Sequence, residues 1–241
     1  NLSDAATAQK IGGALRAEAL FGTTEIAVSG AARQDAPYRV GADLSTAIWY
    51  FDLHVEGALS RDVRDRFYEG QFDLSTLTFP RQVDRSDEWI GQLAAGAEVE
   101  VGYSDTDTVI VGGEYFFNDA GYSDRADLYP WLLFNNAFRF FYVGRHYASV
   151  YLFVPQPGEL NDWSFNVSAL GNLSDRSVIA RAGASVQALT YMSVNLYTQA
   201  HLGKEGEFRL GLDVPAVPGV FEGVSVPTQV VDIGLGVTLR L

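Results

Sequence analysis

The chain has 241 residues and carries 17 Lys plus Arg against 30 Asp plus Glu, a formal charge of -13, with 24 Gly, 31 aromatics (15 Phe, 12 Tyr, 4 Trp), one Met and no Cys. That acidity excludes a nucleic-acid partner, since a phosphate backbone is bound through a basic surface, and the absence of Cys excludes disulfides, thiolate metal sites and a Cys nucleophile. No run of 18 apolar residues occurs, because even the stretch from Leu128 to Gly144 is broken by Pro130, Asn135, Asn136 and Arg139, so a membrane-spanning helix is excluded as well.

Almost every stretch between turn signals alternates with period two, the pattern of strands with two chemically different faces. In chain order the alternation predicts twelve strands: Ala14 to Phe21, Thr24 to Arg33, Tyr38 to Ala47, Phe51 to Ser60, Gln92 to Tyr103, Thr108 to Phe117, Arg145 to Val154, Trp163 to Gly171, Ser177 to Ala188, Thr190 to His201, Glu207 to Val214 and Gln229 to Leu241. Most run eight to thirteen residues, where a soluble domain uses about 5 to 6 and a tilted transmembrane strand about 9 to 11. Short turns alternate with two long polar or aromatic segments, Arg61 to Gly91 and Asn118 to Gly144.

Charges keep to one phase. In the last strand Val231, Ile233, Leu235, Val237, Leu239 and Leu241 share one face, and Asp232, Gly234, Gly236, Thr238 and Arg240 the other. The polar phase of the chain gathers Arg39, Asp43, Asp52, His54, Glu56, Glu98, Glu100, Glu114, Arg145, Arg181, Arg209, Asp213, Asp232 and Arg240, with Arg16, Glu18, Glu25, Arg33 and Glu207. Alternation alone does not say which face is inside, since a soluble sandwich shows the same pattern. Three features favour apolar outward: the strand lengths, a polar face with only two Lys in the chain, and Trp49, Tyr50, Tyr103 and Trp163 near strand ends, where an interfacial girdle belongs. The expectation is one transmembrane antiparallel β-barrel over residues 1–241, about twelve strands with ten to fourteen allowed, lined by these charges. Counting crossings from the long segments puts both ends of a twelve-strand barrel on the long-loop side, although the termini of membrane barrels normally lie on the short-turn side. The parity points either to Glu207 to Val214 being part of a long loop or to strands preceding Asn1.

The whole chain resembles Gram-negative outer-membrane β-barrel proteins, through its long alternating strands, the terminal strand VVDIGLGVTLRL, its aromatic strand ends, missing Cys and acidic balance; it departs from the usual pattern in ending on Leu241 instead of Phe. Stretches such as GGEYFFNDAGY and GRHYASVYLF resemble uncharacterised porin-like members. The resemblance implies the bacterial outer membrane, a lipid bilayer as partner, and either a homo-oligomer or a protein partner for the loops.

The three His are the natural places to look for catalysis. His54 lies between Asp52 and Glu56 on the polar phase, a combination similar to that of omptin-type proteases, yet a solvated wall accounts for it. His201 follows Tyr-Thr-Gln-Ala, which resembles a piece of the outer-membrane phospholipases, but the His-x-Ser-Asn-Gly signature of that family is absent. His146 falls on the apolar phase at a strand end. Glu98, Glu100 and Glu114 offer oxygen ligands for a divalent cation, with arginines on the same phase as competing partners. The sequence therefore predicts no catalytic residues, no metal and no cofactor. It predicts passive passage of small polar or ionic solutes with weak cation preference, or else a plugged barrel whose loops bind a partner.

Overall fold

The computed structural model describes residues 11–74, 76–214, 216 and 222–239. Its strands are β1 Gly12–Phe21, β2 Thr24–Arg33, β3 Tyr38–Ile48, β4 Phe51–Arg61, β5 Phe67–Glu69, β6 Arg81–Val83, β7 Ile90–Gly102, β8 Thr108–Asn118, β9 His146–Pro155, β10 Trp163–Asn172, β11 Ser177–Leu189, β12 Met192–Gly203, β13 Leu212–Val214, β14 Val224–Val226 and β15 Val231–Leu239. A single 3₁₀ turn, Ala126–Leu128, leads into a short helix α1, Tyr129–Phe134. No helix among the described residues is long and apolar enough to cross a membrane.

Eleven strands form one antiparallel sheet in the order β1-β2-β3-β4-β7-β8-β9-β10-β11-β12-β15, and β5-β6 and β13-β14 are two small separate hairpins. The connections sort by length. One end of the sheet carries only short turns, at 22–23, 49–50, 103–107, 156–162 and 190–191; the other carries the turns 34–37 and 173–176 and three long connections, 62–89, 119–145 and 204–230. Both β1 and β15 run from the long-loop end to the short-turn end. Their outer edges have no partner among the described residues.

The pairing register tests the two-phase reading independently of any choice of boundaries. Arg16 faces Ser29, Glu18 faces Ala27, Asp43 faces Glu56, Asp52 faces Glu98, and Arg181 faces Gln199, which faces Asp232. Because directly paired residues point to the same side of a sheet, these pairings, followed strand by strand, place Glu25, Arg33, Arg39, Glu100 and Glu114 on that side too. The opposite side carries Val, Leu, Ile, Ala and aromatic residues, with Arg61 and His146 at its long-loop margin. Those apolar side chains are open to the surroundings: Val167 is 55% exposed and Leu235 71%.

One predicted strand is different. Glu207 to Val214 shows strand-like alternation, but in the structure its first half is a turn segment tucked against the polar side of the sheet, and only Leu212–Val214 is extended, paired with Val224–Val226. The large sheet thus has eleven strands among the described residues, and the segment belongs to the long connection before β15. The parity changes with it: the first strand starts at the long-loop end and the last finishes at the short-turn end.

The buried core lies in the loops. Tyr68, Leu128, Tyr129, Leu132 and Val143 form it, with Phe72, Trp131, Phe138 and Leu210 packed against them. Rings continue the contact from Tyr129 to Phe138 to Phe140 to Phe141 to Phe208 and on to Tyr147 of β9. The long loops therefore fold as one unit, anchored on the polar side of β9 to β12.

Candidate functional site: the polar face and its mouth

Side chains on the polar face meet across intervening strands. Arg16 of β1 binds Asp43 of β3 through both terminal nitrogens, at 2.8 and 3.2 Å, over β2. His54 of β4 donates from Nε2 to Glu114 of β8 at 3.2 Å, and the Tyr151 hydroxyl of β9 donates to Glu98 of β7. The second and third contacts share a device. The register aligns His54, Gly96 and Glu114 in one row and Glu98, Gly112 and Tyr151 in another. A Cβ at Gly96 would collide with the His54 imidazole, and one at Gly112 with the Tyr151 ring. Each glycine clears a passage for its neighbour's ring, a close approach that any other residue would block.

The sequence groups His54 with Asp52 and Glu56, but the structure joins it to Glu114 instead. Residues two apart on a strand stand nearly 7 Å from one another, whereas the glycine row lets the imidazole lean sideways. Glu114 is thereby engaged by His54 and Glu98 by Tyr151, while the register sets Glu100 opposite Ile110. No group of three or more His, Asp or Glu among the described residues has the arrangement to hold a metal ion. His201, which is 8% exposed, presents both ring nitrogens to oxygens, Nδ1 to the Phe208 carbonyl and Nε2 to Asp232 at 2.8 Å. It pins the last long connection to β15, a structural task. Arg181 lies over the Tyr197 ring with its guanidinium carbon 4.0 Å from the centroid.

Three of the sequence-predicted lining residues sit elsewhere. Arg209 and Asp213 lie off the large sheet, in the connection after β12, and Arg145 precedes β9, where it meets Asp119 at 3.6 Å. Arg240 lies outside the described residues.

The strongest polar cluster is one that alternation does not reveal. Glu207, only 1% exposed, accepts from the Tyr147 hydroxyl at 2.7 Å, from the Asn172 amide at 2.9 Å and from the Phe141 backbone N–H. The same Asn172 amide reaches Asp175 at 3.0 Å. Asp175 also accepts from the Tyr129 hydroxyl at 2.8 Å, the Ser177 hydroxyl at 2.6 Å and the Glu207 N–H at 2.7 Å. This buried knot ties β9, the β10–β11 turn and two long loops together. Burial pushes the Glu207 carboxyl up to about 7, because desolvation of the charge outweighs its donors. The Tyr129 hydroxyl is pushed up as well, by burial and then by Asp175.

No family model and no curated protein matches the sequence. Among solved structures the chain is similar to OmpT (in-vitro folded), an outer membrane protein of Vibrio cholerae, at a TM-score of 0.41 and 10% sequence identity, over 94% of this chain and 63% of that one. The chain spans less than two thirds of that structure's length.

Proposed function

We propose that the chain is an outer-membrane β-barrel whose polar inner wall passes small polar or ionic solutes, with a weak preference for cations. The carrying observation is the outward apolar belt. Val28, Val55, Val111, Val150, Val167 and Leu196 are all exposed on one phase of the sheet, a surface that water penalises at about 25 cal/mol per Å² and that a bilayer accepts. Aromatics bracket it: Phe21, Trp49, Tyr50, Tyr103, Trp163 and Tyr191 at the short-turn end, Tyr38 and Tyr115 towards the other. Trp49 adds a separate argument. It occupies the two-residue turn between β3 and β4 with φ 57° and is 91% exposed, a backbone conformation that costs a bulky residue energy and suits Gly or Asn. A Trp retained there has work outside the turn, and an interfacial anchor is such work.

Cation preference follows from the wall. The polar phase of the eleven strands holds nine carboxylates and four arginines, and carboxylate linings favour cations. His54 and His201 make hydrogen bonds that serve cross-strand packing and loop attachment, in keeping with a lining instead of a catalytic pair. The second reading, a plugged barrel that displays its loops, is favoured by the Glu207 knot and the aromatic core folded onto the long-loop mouth. Two measurements test the proposal. Detergent-solubilised protein should migrate differently on a gel before and after boiling; solubility without detergent would sink the membrane reading. In a planar bilayer under a salt gradient, the reversal potential should show weak cation selectivity that drops in Glu98→Gln/Glu100→Gln. A silent bilayer would select the plugged barrel, and clear anion selectivity would reverse the charge argument.

A further inference from the structure

A cavity of about 530 Å³ opens at the long-loop end, between the polar face of β3, β4, β7 and β8 and the loop residues above it. Its charge runs against that of the chain. Arg39, Arg64, Arg66 and Arg139 line it, with Asp65 as the one carboxylate. Asp65 is already held by Arg139 in a two-pronged pair at 2.6 and 2.7 Å, and Arg64 is drawn away towards Asp62 and Asp35 at 3.3 and 3.6 Å. Two guanidinium groups are left with open donors. Arg39 stands on the floor, from β3, and its guanidinium makes no hydrogen bond or ion pair among the described residues. Arg66 hangs from the loop above and uses a single nitrogen, Nη1, to reach the Asn135 carbonyl at 3.3 Å.

We propose that this cavity is a binding site for small organic carboxylates, held between Arg39 and Arg66. A guanidinium presents five N–H donors in a plane and matches a carboxylate in a two-bond fork. Neutral groups complete the polar side: the Tyr122 hydroxyl accepts from the Tyr68 N–H at 2.9 Å and keeps its own hydrogen to donate. Phe67, Ile90 and Val143 give the cavity an apolar side that covers a carbon skeleton, and the volume falls in the range of small-ligand sites. An inorganic anion satisfies the arginines but leaves that side unused. The site does not depend on conduction: it needs only the long loops packed over the polar face of β3, β4, β7 and β8.

The test is calorimetric titration of the protein folded in detergent micelles with succinate and, separately, with inorganic phosphate. Succinate should bind one to one and more tightly than phosphate. Arg39→Gln and Arg66→Gln should each weaken succinate about tenfold, the loss of one charge-assisted pair. Arg81→Gln, which removes the same charge from the exposed β6 where Arg81 pairs with Glu69, should leave the affinity unchanged. Absence of binding would overturn the proposal, as would equal losses in all three variants, which mark a diffuse field. Phosphate binding as tightly as succinate would overturn the carboxylate class.

Discussion

The two ends of the sheet are built on different chemistry. At the short-turn end the turn residues carry Asp105, Asp107, Glu159 and Asp162 and no basic residue, and the structure there consists of turns and exposed rings. The three long connections hold nine basic residues interleaved with acids, and many are paired, as in Arg139 with Asp65 and Arg85 with Asp119. The difference shows how each end is stabilised. Short turns need no tertiary support beyond the strands they join, whereas long loops must recover their ordering entropy by burying rings and carboxylates against one another. Arginine, with its flat fork, is the residue that ties such loops.

The largest expected effect concerns the belt that both ends share. In the barrel proposed above, Arg placed at Val167 or Leu235, near the middle of β10 and β15 on the apolar phase, should cost on the order of 2 to 4 kcal/mol of insertion, read as the folded fraction in lipid vesicles. Arg at the neighbouring Ser168 on the polar phase should cost far less, and equal losses would mean that the faces are reversed. Next comes the loop knot. Glu207→Ala removes the acceptor of the buried Tyr147 hydroxyl and of one of the two bonds made by the Asn172 amide, each at about 1 to 3 kcal/mol. Protease should then cut within 119–145 much faster while the short-turn end stays resistant, and unchanged cleavage would show that the two ends are equally self-sufficient.

A pH series sharpens the same contrast. The folded Glu207 carboxyl titrates above its unfolded value, so its contribution is complete below the ordinary carboxylate range and is lost as pH rises through about 7. Loop protection against hydrogen exchange should fall over that window in the native chain and stay flat in Glu207→Gln, with the short-turn end indifferent to both. A native profile that rises with pH would reverse the sign. The smallest effect is at Trp49. Trp49→Gly should relax the turn and leave stability in detergent nearly unchanged, yet weaken retention in vesicles; identical behaviour in both media would remove the anchor argument.

Eleven of the twelve strands were legible in the sequence because alternation is printed residue by residue, and their ends differ from the observed ones by only a few positions. The exception shows the limit of that signal. Phe208, Leu210 and Leu212 alternate with Glu207, Arg209 and Asp213 as a strand would, but period two reports a phase and not a partner. The same gap hid the His54–Glu114 contact, which depends on register across β7, and the Arg39 and Arg66 cavity, whose roof exists only once the aromatic loops have packed. The wall charges were readable individually; who meets whom was not.

All ten pairings of the large sheet join strands that follow one another around it in chain order, with a few loop hairpins set between. The sheet can therefore grow one hairpin at a time, and the widest gap it must bridge is a loop of fewer than thirty residues, for which closure entropy rises only logarithmically. In the barrel proposed above, closure would add one step of a different kind. Since β1 and β15 run in the same direction, a seam made by these two alone would be parallel, with slanted and weaker bonds, and an antiparallel seal requires an odd number of further strands between them. For the proposed barrel, folding kinetics should accordingly divide into a fast, local phase for the sheet and a slow phase for the joining of its two edges.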